Sequence, residues 1–282
     1  MPTRSELAQE ALRTSIKFRK IAGLALDVPA NPFDLADALG VVVRLVDVNM
    51  EGMYVGGAAP TIIVSCLRPL GRRFFTCAHE IGHHAFGHGA TIDQLKSEGS
   101  STTFNPSEFL ADTFAGFILM PPPGIRRAFM ARQCSPSEAR PLLIARIASA
   151  FGVGYDTMVT QLKAQRSISA SHAADLERVG IAGVKRELLG SRFAGQLHCL
   201  DAICESSVID VEVGDRLFLP PCSRAVGNLT ELRAVHEGNI YEARTCGIHQ
   251  VQLGESKWIF VRASPPKYVG LATYRHLEGN ED

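Results

Sequence analysis

Apolar side chains recur at helical spacing through Leu7, Ala11, Leu12, Ile16, Ile21 and Leu24, which predicts one amphipathic helix over Thr3–Leu24. Pro29 and Pro32 break it. A short helix, Phe33–Leu39, ends at Gly40, and the β-branched run from Val41 to Val48 reads as a strand. Tyr54-Val55 and Thr61–Ser65, flanking the Gly56-Gly57 turn, predict a hairpin that extends the same sheet. Helical spacing returns from Gly71 to Phe86 and stops at Gly87 and Gly89. The polar stretch Ala90–Thr103 predicts a mobile loop. Asn105-Pro106-Ser107-Glu108 then has the makings of a helix start: an N-cap, a proline for the first turn and a glutamate three residues on. That helix, Ser107–Leu119, stops at Met120-Pro121-Pro122-Pro123-Gly124.

From Ser135 to about Arg192 the pattern is helical again. Beyond Phe193 it changes to short strands separated by turns: Arg216–Leu219, Glu231–Val235, Ile240–Arg244, Val251–Leu253 and Trp258–Arg262. The expected organisation is α+β and multidomain, with boundaries near 125 and 192 that divide the chain into 1–125, 126–192 and 193–282. A length of 282 residues suits two or three domains, and 46% apolar with 21% charged residues is a globular composition.

Net charge is zero, yet residues 125–192 hold eleven Lys/Arg against five Asp/Glu, which hints at an acidic partner or nucleic acid. Seven cysteines without a CxxC pair fit neither a disulfide framework nor a cysteine-type zinc ribbon; buried thiols in a reducing compartment are expected. The first twenty residues lack the apolar core of a signal peptide. No run approaches the ~18 apolar residues of a membrane span, so a cytoplasmic protein is expected.

The chemistry concentrates in His79-Glu80-Ile81-Gly82-His83. On a helix, His79 and His83 lie one turn apart and only ~40° around the axis, so both imidazoles can meet one tetrahedral Zn²⁺. Glu80 is turned by ~100° and can reach a water without serving as a ligand. Cys77, ~200° from His79, points away. A hydrolytic site needs a third ligand, and three residues compete for it: His88, if the helix ends first; Asp93, in the polar stretch; and Glu108, at the start of the second helix. Asp112 follows Glu108 one turn later and can accept the second ring N–H of a ligand histidine. Glu108 as a mere capping residue is the bland alternative. Mid-helix Gly82 suggests close approach of the sheet or of the second helix. Tyr54 and His88 are candidates to steady an oxyanion.

The segment 79–83, with the preceding Arg72-Arg73-Phe74-Phe75-Thr76-Cys77-Ala78, with His88 and with the run from Glu108 to Pro121, resembles the ImmA/IrrE family of bacterial zinc peptidases. The likeness is close over residues 30–125. It extends more loosely, over the whole length, to the family's regulators of radiation and desiccation response. The resemblance implies a zincin-like domain with a small antiparallel sheet, with His79, His83 and Glu108 as zinc ligands, Glu80 as general base and Asp112 behind the ligands. It implies a helix-turn-helix-like middle domain and a GAF-like C-terminal domain that senses a small ligand. The implied substrate is a helix-turn-helix transcriptional repressor, cut once so that stress genes are induced. Two histidines and a carboxylate favour zinc, with manganese the other working metal to consider.

The segment Ile147–Leu162 has the cadence of a helix-turn-helix, with Arg140, Arg146, Lys163 and Arg166 near it. A supporting bundle, or a docking site for a protein partner, is favoured over DNA contact because no dense basic face is evident. Two rival functions follow. One is a DNA-binding regulator whose metal site is a sensor or structural; the other is a redox or ligand sensor.

Overall fold

The computed structural model describes residues 2–89, 91–93, 104–190, 193, 195–227 and 229–277, with only the backbone of 91–93. The chain forms two compact units, one of residues 1–121 and 267–275, the other of 122–266 and 276–282.

In the first unit, α1 (Arg4–Ile21) begins at Thr3, whose hydroxyl and backbone exchange hydrogen bonds with Glu6 in a capping box. Its buried stripe is Leu7, Ala11, Ser15 and Arg19, a strict four-residue repeat. Ile21, counted as apolar face in the sequence, is 58% exposed. The polar members of the stripe find carbonyls instead of water. Ser15 donates to Leu12, and the buried Arg19 guanidinium donates to the carbonyls of Ala25, Val28 and Ile118. Burial pulls the Arg19 pKa down to about 10. One side chain thus ties the end of α1 to a loop and to a later helix.

Next come α2 (Pro32–Ala38), capped by Asn31, and the strands β1 (Val42–Val46), β2 (Gly52–Val55) and β3 (Thr61–Ser65). They are followed by α3 (Leu70–Phe86), β4 (Thr91–Asp93) and α4 (Pro106–Leu119). Within the expected loop 90–103, residues 91–93 pair with β2; the rest of that stretch lies outside the described residues. The sheet order is β13-β1-β3-β2-β4, where β13 (Gly270–Leu271) comes from the far end of the chain. β2 and β3 form the expected antiparallel hairpin, but β1 and β3 run parallel, with Leu45 opposite Val64. The sheet is therefore mixed, not antiparallel as expected. β3 is inserted between β1 and β2, an arrangement that side-chain patterning does not encode. Val43, Leu45, Ile62, Val64 and Tyr54 form the sheet's share of the core, and Phe74, Cys77, Ala78 and Ile81 that of α3. α3 packs on β2 and β3 as well as on α4, and α4 also packs on α1.

The second unit begins with α5 (Pro122–Ala131), where prolines occupy the first turn and need no hydrogen-bond partner for a missing N–H. α6 (Pro141–Ala150) and α7 (Tyr155–Ala164) are bent by 97° across the turn 151–154, and α8 (Ala170–Leu189) is kinked at Gly180. Eight strands follow: β5 (Leu197–Cys199), β6 (Val208–Glu212), β7 (Arg216–Leu219), β8 (Arg224–Val226), β9 (Leu229–Val235), β10 (Gly238–Ala243), β11 (Gly247–Leu253) and β12 (Lys257–Ser264). They make two four-stranded sheets, β5-β7-β10-β9 and β6-β12-β11-β8, each with one parallel pair. Arg132 fixes α5 to the segment 201–205 through a bidentate contact with Asp201 (2.8 and 2.9 Å) and a bond to Glu205. The Ser149 hydroxyl of α6 accepts the Cys199 N–H of β5 at 2.9 Å. This unit holds both the helical elements from α5 to α8 and the strands from β5 to β12. Among the described residues no single helix is long and apolar enough to cross a membrane.

Candidate metal centre

α3 packs on the sheet, on α2 and on α4, and the site lies where it meets α4. Gly82 makes the approach possible: a Cβ there would lie 3.0 Å from the Ala111 Cα and 3.2 Å from its carbonyl oxygen. Of the two approaches expected from the sequence, that of the second helix is the one found. His79 and His83, one turn apart, point into this contact and are almost wholly buried.

α4 starts at Asn105, which caps the Ser107 N–H at 3.0 Å. Glu108 directs its carboxylate at both imidazoles, 3.5 Å from each Nε2. The Nε2 atoms of His79 and His83 are 2.9 Å apart. His79, His83 and Glu108 thus offer three donor atoms within 4.8 Å of one another. A tetrahedral zinc with bonds of ~2.0–2.1 Å separates its ligands by roughly 3.3 Å. The observed triangle matches that size, and its chemistry, two imidazole nitrogens facing each other beside a carboxylate, suits a cation at the centre.

Asp112, one turn along α4, meets Nδ1 of His79 at 2.8 Å. An ionised carboxylate only accepts, so Nδ1 carries the proton and Nε2 the lone pair. Glu80 is fully buried beside the triad. Its seat is shaped by Gly52 of β2, where a Cβ would fall 2.9 Å from Glu80 Oε1 and 2.5 Å from Thr76 Cγ2. Cys77 faces the opposite way, its thiol donating to the Pro32 carbonyl at 3.6 Å; burial, then the neighbouring Glu80 charge, push its pKa well up.

The other candidates fall elsewhere. The side chain of Asp93 lies outside the described residues. Tyr54 bonds through its hydroxyl to Nδ1 of His84 at 2.7 Å. His88 is brought back by the helix end: Gly87 adopts left-handed backbone (φ 66°), its N–H reaches the His84 carbonyl, and the His88 N–H reaches the His83 carbonyl at 3.1 Å. This Schellman turn lays the His88 ring against His83, Nδ1 to Nδ1 at 3.0 Å, and stacks it on Phe86. The sequence offered His88 as a ligand conditional on helix termination, as a candidate to steady an oxyanion, and, more readily than either, as a residue facing solvent or standing behind the ligands. The helix does terminate, and the turn geometry sends His88 to the back of His83. Gly52 was not singled out at all; a glycine opening a strand carries no mark of what lies behind it.

Paired histidines on one helix, a carboxylate from a second and a buried glutamate beside them define a metallopeptidase type of centre. Residues 36–163 match the family described as peptidase M78, the IrrE N-terminal-like domain. Over this segment, somewhat under half of its length, the chain is similar to that family of metallopeptidases. No curated protein matches the chain significantly.

Proposed function

We propose that the chain is a zinc-dependent, site-specific endopeptidase that cuts a helix-turn-helix transcriptional repressor and thereby induces a radiation or desiccation response. The observation that carries the reading is the convergence of His79, His83 and Glu108 beside a buried Glu80. These three residues would hold the metal. Zinc, when bound, supplies Lewis acidity that polarises the scissile carbonyl and acidifies water. Asp112 keeps His79 in the tautomer that ligates. Glu80 takes the proton of the attacking water and passes it to the leaving amine.

The repressor substrate follows from the family resemblance. The 97° bend between α6 and α7 is within the range of a helix-turn-helix and supports that reading of the middle region. It also keeps the DNA-binding alternative in view. Two features favour a protein partner over DNA. Arg146 is engaged by Glu237 at 3.7 Å and lies over the Phe218 ring, and the first turn of α7 carries the exposed Asp156. The GAF-like reading of 193–282 rests on resemblance alone, and the two four-stranded sheets name no ligand.

The test is incubation of the zinc-loaded full chain with helix-turn-helix repressors. One discrete cut, lost on chelation and restored by zinc, is expected, with manganese compared in parallel. A chain with full zinc that cuts none of them, yet shifts operator DNA in a gel, would favour the DNA-binding regulator.

A further inference from the structure

Each ligand imidazole of the centre needs its proton on Nδ1, so that Nε2 keeps the lone pair. Asp112 accounts for His79. For His83, Nδ1 meets Nδ1 of His88 at 3.0 Å. We propose that His88 is the positioning residue of His83, accepting its Nδ1–H as Asp112 does for His79, and that the left-handed turn at Gly87 delivers it. This rests on the zinc-site reading above.

Three observations support it. The acceptor comes from the chain itself within one helical turn: the 6→1 hydrogen bond from the His88 N–H to the His83 carbonyl forces the two side chains together. In this motif the two positions ordinarily share an apolar contact, and here two imidazoles share a hydrogen bond instead. The ring is further held by its stacking on Phe86, with centroids 5.6 Å apart and planes 24° apart. The converging triad is His79, His83 and Glu108, and the His88 Nδ1 lies against the Nδ1 of His83, on the side of that ring away from the Nε2 that faces the triad. The two ligand histidines are thereby backed by unlike groups, a carboxylate from α4 and an imidazole from the turn after α3.

The experiment measures zinc affinity of the full-length chain, by competition with a chelator, for the parent, His88→Leu, His88→Gln and His83→Ala. Leu preserves an apolar contact in the turn but cannot accept; Gln retains an acceptor oxygen. His88→Leu is expected to weaken zinc binding about 10–100-fold and His88→Gln to recover most of the loss, with the metal-free melting temperature unchanged in both. Parental affinity in His88→Leu, or equal loss in Leu and Gln, would overturn the proposal. If His83→Ala also bound zinc like the parent, the zinc-site reading itself would fall, which separates the two failures.

Discussion

At His79 one carboxylate decides which ring nitrogen carries the proton. Asp112 is about half exposed yet sits 2.8 Å from Nδ1, so its effect is directional more than energetic: it fixes the ring and its tautomer. Asp112→Ala is therefore expected to weaken zinc about 10–100-fold by chelator competition, with Asp112→Asn, which keeps an acceptor oxygen, losing less. Parental affinity in the alanine variant would remove Asp112 from the site. At this scale much was legible beforehand. The spacing of 79 and 83 places two rings on one helix face, and that of 108 and 112 places two carboxylates on another. For His88 the sequence left several places open, because its position depends on the backbone sign of one glycine, Gly87, and not on helical periodicity.

Between elements, two glycines set how closely the parts of the centre approach. Gly82 lets α4 come within backbone contact of α3, and Gly52 leaves room for Glu80 under β2. Gly52→Ala would press a methyl group on Glu80 Oε1 and Thr76 Cγ2. We expect a fall in kcat with zinc content retained, and a loss of stability of about 1–3 kcal/mol from overpacking. Unchanged kcat would mean that Glu80 is not held from this side. The helices and longer strands of the first unit lie within a few residues of their expected limits, because caps and apolar periodicity are local signals. The two- and three-residue strands β4, β5, β8 and β13 are too short to show a period of two. The parallel pairing of β1 with β3 depends on contacts that no local pattern carries.

Over the whole molecule the least expected feature is the return of residues 267–275 to the first unit. β13 pairs with β1, placing Leu271 opposite Arg44. Tyr268 and Ala272 are buried there, and the buried Arg275 lies over the Phe33 ring and 3.7 Å from Asp34. The sequence divides at the proline run after Leu119, and nothing in that run announces a partner some 150 residues later. A chain truncated after Pro266 should thus lose about 2–4 kcal/mol of first-unit stability, seen as a lower denaturant midpoint for that unit. An unshifted midpoint would show the segment to be dispensable. The function proposed for the whole chain turns on a different residue. The most direct measurement compares the parent and Glu80→Gln for zinc content and for cleavage of a repressor that the parent cuts. The account predicts equal zinc in both and a drop in cleavage of at least about 100-fold in the variant. Cleavage at the parental rate by a zinc-replete Glu80→Gln chain would contradict it.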